Sequence, residues 1–163
     1  MGKNWPCKFF KKFNLNLKEE TLNLDLKGLE DFCQRVSSSI NIGSVICLFG
    51  DLGSGKTTFA RYLIKSLYKK YKKPPPLSIK SPSFPILLTY EINNFEIYHY
   101  DLYRISESSE LIELNIFEEL YNSITLIEWP EIFLNSINTT KYSSINFKII
   151  DENERTVKHN LLL

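Results

Sequence analysis

Gly50-Asp51-Leu52-Gly53-Ser54-Gly55-Lys56-Thr57-Thr58 is the stretch that decides how the rest of this chain is read. It fits G-x-x-x-x-G-K-[ST], a phosphate-binding pattern with a physical basis. A triphosphate concentrates negative charge. A loop of backbone N–H groups at a helix N-terminus, with its partial positive charge, matches that density. Side chains at the turning positions would block the approach, which explains Gly50, Gly53 and Gly55. Lys56 is placed to reach the β- and γ-phosphates. The Thr57 hydroxyl suits a magnesium ion, and Ser54 and Thr58 complete the cradle around the α- and β-phosphates. A chance match would arise in about one chain of this length in a few hundred. The flanks make chance less tenable still.

Before the loop, residues 44–49 (SVICLF) form a short, nearly wholly apolar run, as a strand covered on both faces requires. After it, Phe59, Leu63, Ile64, Leu67 and Tyr68 recur at helical spacing, with Lys65, Lys69 and Lys70 toward the end. Strand, loop and helix are the context that a phosphate loop needs. Lys72 and Lys73 and the triproline 74–76 stop this helix. Upstream, Leu22, Leu26, Leu29, Phe32, Cys33 and Val36 predict an amphipathic helix starting near residues 19–21. Downstream, 86–91 and 95–100 read as a hairpin about Asn93-Asn94. Ser106 or Ser108 is set to cap a helix through Leu114, and 116–121 a second short one. Residues 124–127 (ITLI) read as a buried strand, and 145–150 with 156–158 as a final hairpin. Phe9, Phe10 and Phe13 are candidates to cover a sheet edge. The expectation is an α/β fold in one domain spanning 1–163.

Composition narrows the function classes. The chain has 163 residues, 43% hydrophobic and 24% charged, a globular mixture that supports one core. Its net charge is +1, so no global field draws it to nucleic acid or membrane. Cys7, Cys33 and Cys47 are scattered, with no C-x-x-C pair, which argues for a reducing compartment rather than a disulfide framework or zinc site. No apolar run is long enough to span a bilayer, and the lysine-rich start has no signal-peptide core. Pro6 stands where a myristoylation motif needs Ser or Thr. The expected location is cytoplasmic.

A phosphate loop of this kind works with a carboxylate near magnesium, at the end of a neighbouring strand. Glu128 directly follows ITLI, and Asp101 ends the 95–100 strand; each is a candidate, and each also suits helix capping. Arg104 is compatible with an ion pair to Asp101 or with γ-phosphate contact. His99, between Tyr98 and Tyr100, is read as a packed, hydrogen-bonded histidine before a general base. Trp129 fits either the core or the wall of a nucleotide pocket. The lysines of 69–73 fit a solvated helix end or a partner contact.

Taken together, GDLGSGKTT, Lys80-Ser81-Pro82-Ser83-Phe84, YHYDLYR (98–104), Glu110-Leu111 and IEWPE (127–131) resemble the bacterial tRNA threonylcarbamoyladenosine biosynthesis family TsaE, from about Glu19 to Arg155. The resemblance implies a three-layer P-loop NTPase sandwich with a mixed, largely parallel central sheet. It implies ATP hydrolysis with magnesium, weak alone and stimulated by the transferase TsaD and its companion TsaB. Modification then falls on the adenosine beside the anticodon of tRNAs that read codons beginning with A, and tRNA is met through the complex. Carried over by residue, Gly53 to Thr58 hold the nucleotide, and Thr57 and Glu128 the metal. Asp101 stands near the γ-phosphate as a water-positioning residue, Ser83 lies in a switch-like loop, Thr21 lies where the first helix approaches the base, and Arg155 is a basic residue beside the nucleotide.

The chain departs from the family pattern at Ser83, where threonine is usual, and at Asn115, where glycine is usual. Asn tolerates the left-handed conformation, so the turn is expected to survive. The stretch 72–76 is unusual and has no assigned role. Two other classes share the loop. A small-molecule kinase needs an Arg-bearing lid, and Arg35, Arg61, Arg104 and Arg155 make none. A non-catalytic nucleotide sensor would not need both Asp101 and Glu128. No N-K-x-D segment reads guanine.

Overall fold

A computed structural model describes residues 19–137 and 141–163. Phe9, Phe10 and Phe13 lie outside the described residues. In chain order the elements are β1 (Glu20–Leu24), α1 (Leu26–Ser39), β2 (Val45–Phe49), α2 (Lys56–Lys70), β3 (Leu87–Ile92), β4 (Phe95–Asp101), α3 (Ser108–Glu113), α4 (Ile116–Glu119), β5 (Ser123–Glu128), α5 (Glu131–Asn135), β6 (Ser143–Ile149) and β7 (Arg155–His159). The strands form one seven-stranded sheet in the order β1-β7-β6-β2-β5-β4-β3. The central strands β6, β2, β5 and β4 run parallel, and both edges are antiparallel.

β2 carries no polar side chain, and β5 only the buried hydroxyls of Ser123 and Thr125 before Glu128, because both faces are covered. Ile46 and Leu48 point into a core with Phe32, Val36, Phe59 and Leu63 from α1 and α2. Val45 and Cys47 point into a second core with Leu111, Ile116 and Phe133 from α3, α4 and α5. The centre is therefore a three-layer sandwich. Toward β1 the second helical layer gives out, and Asn146, Lys148, Lys158, Thr21 and Asn23 are exposed.

The start of α1 differs from expectation. Residues 20–24 are a strand paired with β7, and the helix begins at Leu26. Leu22 lies one helical step before Leu26, which extends the periodic pattern backward. Leu22 also alternates with Thr21 and Asn23; pairing with β7 settles the strand, and Asp25 ends it by capping the helix that follows. The Asp25 carboxylate accepts the Gly28 N–H at 2.7 Å and caps the helix. Helix α3 is capped at Glu107, not at Ser106 or Ser108. Glu110 Oε1 accepts the N–H groups of Ser106 and Glu107 at 3.1 and 3.0 Å. Asn115 adopts φ 50°, the left-handed turn expected of it. Among the described residues no helix is long and apolar enough to cross a membrane.

Candidate functional site

The loop between β2 and α2 turns through left-handed glycines. Gly50 has φ 131°, and a Cβ there would lie 2.4 Å from the Phe147 carbonyl oxygen and 2.7 Å from Ser54 Oγ. Backbone passes so close that only glycine fits. Gly53 has φ 76°, and a Cβ there would meet nothing within 4 Å, so at that turn the space is open. The Ser54 side chain is buried, and its hydroxyl has no hydrogen-bond partner among the described residues.

Lys56 opens α2 and is 4% exposed. Its Nζ donates to the carbonyls of Gly50 at 2.5 Å and Asp51 at 2.9 Å, and lies 4.0 Å from the centre of the Trp129 ring. Burial pulls the lysine's pKa below its usual value, against the opposing charges of Glu128, Asp101 and Asp51. A desolvated ammonium held by carbonyl oxygens at the head of a helix and facing the loop is suited to an anion of high charge.

The carboxylates reach this end of the sheet by strand parity. Asp101 and Glu128 are register partners on adjacent parallel strands. Ile97 and His99 on β4, like Ile124 and Leu126 on β5, alternate with residues of the opposite face, so Asp101 and Glu128 point toward α2. Glu128, 2% exposed, accepts the Thr57 hydroxyl on Oε2 at 2.9 Å, and its Oε1 lies 2.9 Å from His99 Nε2. Asp101 accepts the Ser83 hydroxyl on Oδ2 and the Tyr103 N–H on Oδ1 at 3.1 Å. Neither carboxylate caps a helix.

The segment around Ser83 is tied to the end of β4. Ser81 and Ser83 hydroxyls lie 2.9 Å apart, and Arg104 donates to the Phe84 carbonyl at 2.6 Å. That bond, not a pair with Asp101, takes up the Arg104 guanidinium. Ile86 at φ 67° and Trp129 at φ 56° hold backbone conformations that bulky residues rarely adopt, and both flank the site. The Trp129 ring also packs on Tyr103 at 4.9 Å.

Two residues stand apart from this cluster. Arg155 begins β7 opposite Leu24 and Ile149, and donates to the carbonyls of Asp151 at 2.6 Å and Glu154 at 2.9 Å. Its buried Nε has no partner among the described residues. Thr21 lies on the edge strand β1, not on a helix. It shares a row with Lys158, Asn146 and Phe49, three strands out from the phosphate loop or roughly 14 Å at ordinary strand spacing. Of the lysines in 69–73, Lys70 is structural: it donates to the Ser37 and Ile40 carbonyls, each at 2.9 Å. Local patterns do not pair His99 with Glu128. The one signal for it is the even spacing of His99 from Asp101, which puts both on the α2 face.

No group of three His, Cys, Asp or Glu side chains among the described residues would hold a metal unaided. Magnesium does not need one, since it takes one or two carboxylates and completes its shell with water and phosphate oxygens. The Thr57 hydroxyl beside the Glu128 carboxylate fits that donor set.

A buried parallel strand, a glycine loop, a lysine at the head of the next helix and two strand-end carboxylates define a protein of the P-loop class. The model for the family described as "Threonylcarbamoyl adenosine biosynthesis protein TsaE" matches residues 24–158, and the chain belongs to that family. It is 38% identical over 141 residues to the tRNA threonylcarbamoyladenosine biosynthesis protein TsaE of Rickettsia felis, covering 86% of this chain and 74% of that one. The TsaE protein of Aquifex aeolicus is 32% identical over 150 residues, covering 91% and 94%. The crystal structure of Bacillus subtilis YdiB has the same fold, with a TM-score of 0.65 at 21% identity, covering 87% of this chain and 84% of that one. The family places the chain in tRNA threonylcarbamoyladenosine biosynthesis.

Proposed function

We propose that the chain acts as a single P-loop domain that hydrolyses ATP in support of the threonylcarbamoyl transferase pair TsaD and TsaB. It would meet tRNA only through that complex, in the cytoplasm. The observation that carries the reading is the Thr57–Glu128 hydrogen bond at the head of α2, with Asp101 in register beside it.

In this reading the amides of Gly53 to Thr58 and the Lys56 ammonium hold the phosphates. Lys56 must first leave the carbonyls of Gly50 and Asp51. Thr57 and Glu128 would hold magnesium, which supplies charge neutralisation on the phosphate oxygens when bound. Asp101, released from Ser83, orients the attacking water, and Ser83 is left to meet the γ-phosphate side. Trp129 walls the pocket over Lys56. Thr21 is assigned to the base side, and Arg155 to a basic position beside the nucleotide. Positioning and charge are the requirements here, because phosphoryl transfer asks for little covalent chemistry from the protein.

The test is ATP turnover by the purified chain with and without TsaB and TsaD. Stimulation by the pair supports the reading. Indifference to it leaves a generic nucleotide hydrolase, and nucleotide-dependent partner binding without turnover favours a sensor.

A further inference from the structure

We infer that His99 is a positioning residue for Glu128: its ring holds the carboxylate in the rotamer that presents Oε2 to Thr57 and to a magnesium ion. The inference deepens the ATPase reading and rests on Glu128 as the carboxylate that organises the metal.

His99 is fully buried in the middle of β4, with Leu126 as its register partner. Its side chain lies diagonally below Glu128 on the same face of the sheet. A carboxylate accepts and does not donate, so Nε2 carries the hydrogen in the 2.9 Å contact to Oε1. The other oxygen, Oε2, is the one that meets the Thr57 hydroxyl at 2.9 Å. The two oxygens of one buried carboxylate are thus divided between a fixed ring below and the phosphate loop above. A ring packed between strands has little freedom, whereas glutamate has several rotatable bonds. The ring therefore sets where Oε2 points. His99 Nδ1 is buried and has no partner among the described residues, so Glu128 is its one hydrogen-bonding contact there. A histidine kept merely to fill space would be replaceable by an apolar side chain. This one supplies a donor to Oε1 of a buried carboxylate whose other oxygen is met by Thr57.

The test compares His99→Leu, His99→Gln and His99→Asn with the unaltered chain. Two quantities are read: the gain in affinity for a fluorescent ATP analogue as magnesium replaces EDTA, and the magnesium concentration that gives half-maximal turnover. The Gln amide reaches as far as Nε2, and the Asn amide stops short. His99→Leu and His99→Asn should raise the half-maximal magnesium concentration by about 10- to 100-fold, with metal-free nucleotide affinity within about twofold of the original. His99→Gln should restore most of the response. Where the leucine variant does not fold, the contrast of Gln with Asn decides. A normal magnesium response in His99→Asn, or equal loss in Gln and Asn, overturns the inference while leaving the ATPase reading in place. An unaltered chain with no magnesium response overturns both.

Discussion

Thr57 and Glu128, 71 residues apart in the chain, meet at 2.9 Å where the first turn of α2 faces the end of β5. That contact exists because β5 lies next to β2 in parallel register, with Glu128 level with Leu48 just before the loop. One hydroxyl and one carboxylate are thereby fixed beside the place where phosphates would sit.

Lys56→Ala should weaken ATP binding by about 10- to 100-fold, the equivalent of the roughly 1.5–3 kcal/mol of a hydrogen bond to a charged group. Titration with a fluorescent ATP analogue measures it. Unchanged affinity and turnover would remove the loop from the mechanism.

Glu128→Gln keeps the shape of the side chain and removes its charge. Magnesium-dependent turnover should fall by at least about 10-fold, while nucleotide binding in EDTA holds or improves as a negative charge leaves the phosphate site. A parallel loss in both measurements would count against a metal role.

Gly50→Ala should damage the fold as well as the site. The new methyl would stand 2.4 Å from the Phe147 carbonyl oxygen at φ 131°, so backbone has to move. A stability loss of about 1–3 kcal/mol or more in denaturant unfolding is expected, with loss of nucleotide binding. Native stability in this variant would mean that the loop does not pass β6 so closely.

Stability should fall as pH drops below about 6.5 because of His159. Its ring is 1% exposed, packs on Phe32 at 4.9 Å, and neither nitrogen has a hydrogen-bond partner among the described residues. Burial, aided by the Arg35 charge and opposed by Glu20, lowers its pKa from the usual 6.5. The unfolded chain therefore binds a proton more readily than the folded one. The stability of the neutral ring is present above the unfolded pKa and is lost as pH falls through that value toward the folded one. His159→Phe should flatten the slope of melting temperature against pH below about 6.5. An unchanged slope would assign the acid sensitivity elsewhere.

The chain's local patterns by themselves determined the phosphate loop, the buried strands on either side of the site, helix α2 and both strand-end carboxylates, whereas the left-handed turn at Asn115 was expected from the family resemblance. Each of the local readings rests on interactions within a few residues: apolar periodicity or glycine spacing. The border between β1 and α1 was ambiguous because Leu22 suits both a helical and an alternating pattern, and pairing with β7 decides between them. Only the tertiary structure decided that Glu128 is shared by Thr57 and His99, that Lys56 lies under Trp129, that Arg104 serves the Phe84 carbonyl, and that Thr21 sits on an edge strand. Those contacts depend on which strands are neighbours and in what register. A shift of one residue turns every side chain to the other face, and nothing within a single strand specifies its partner.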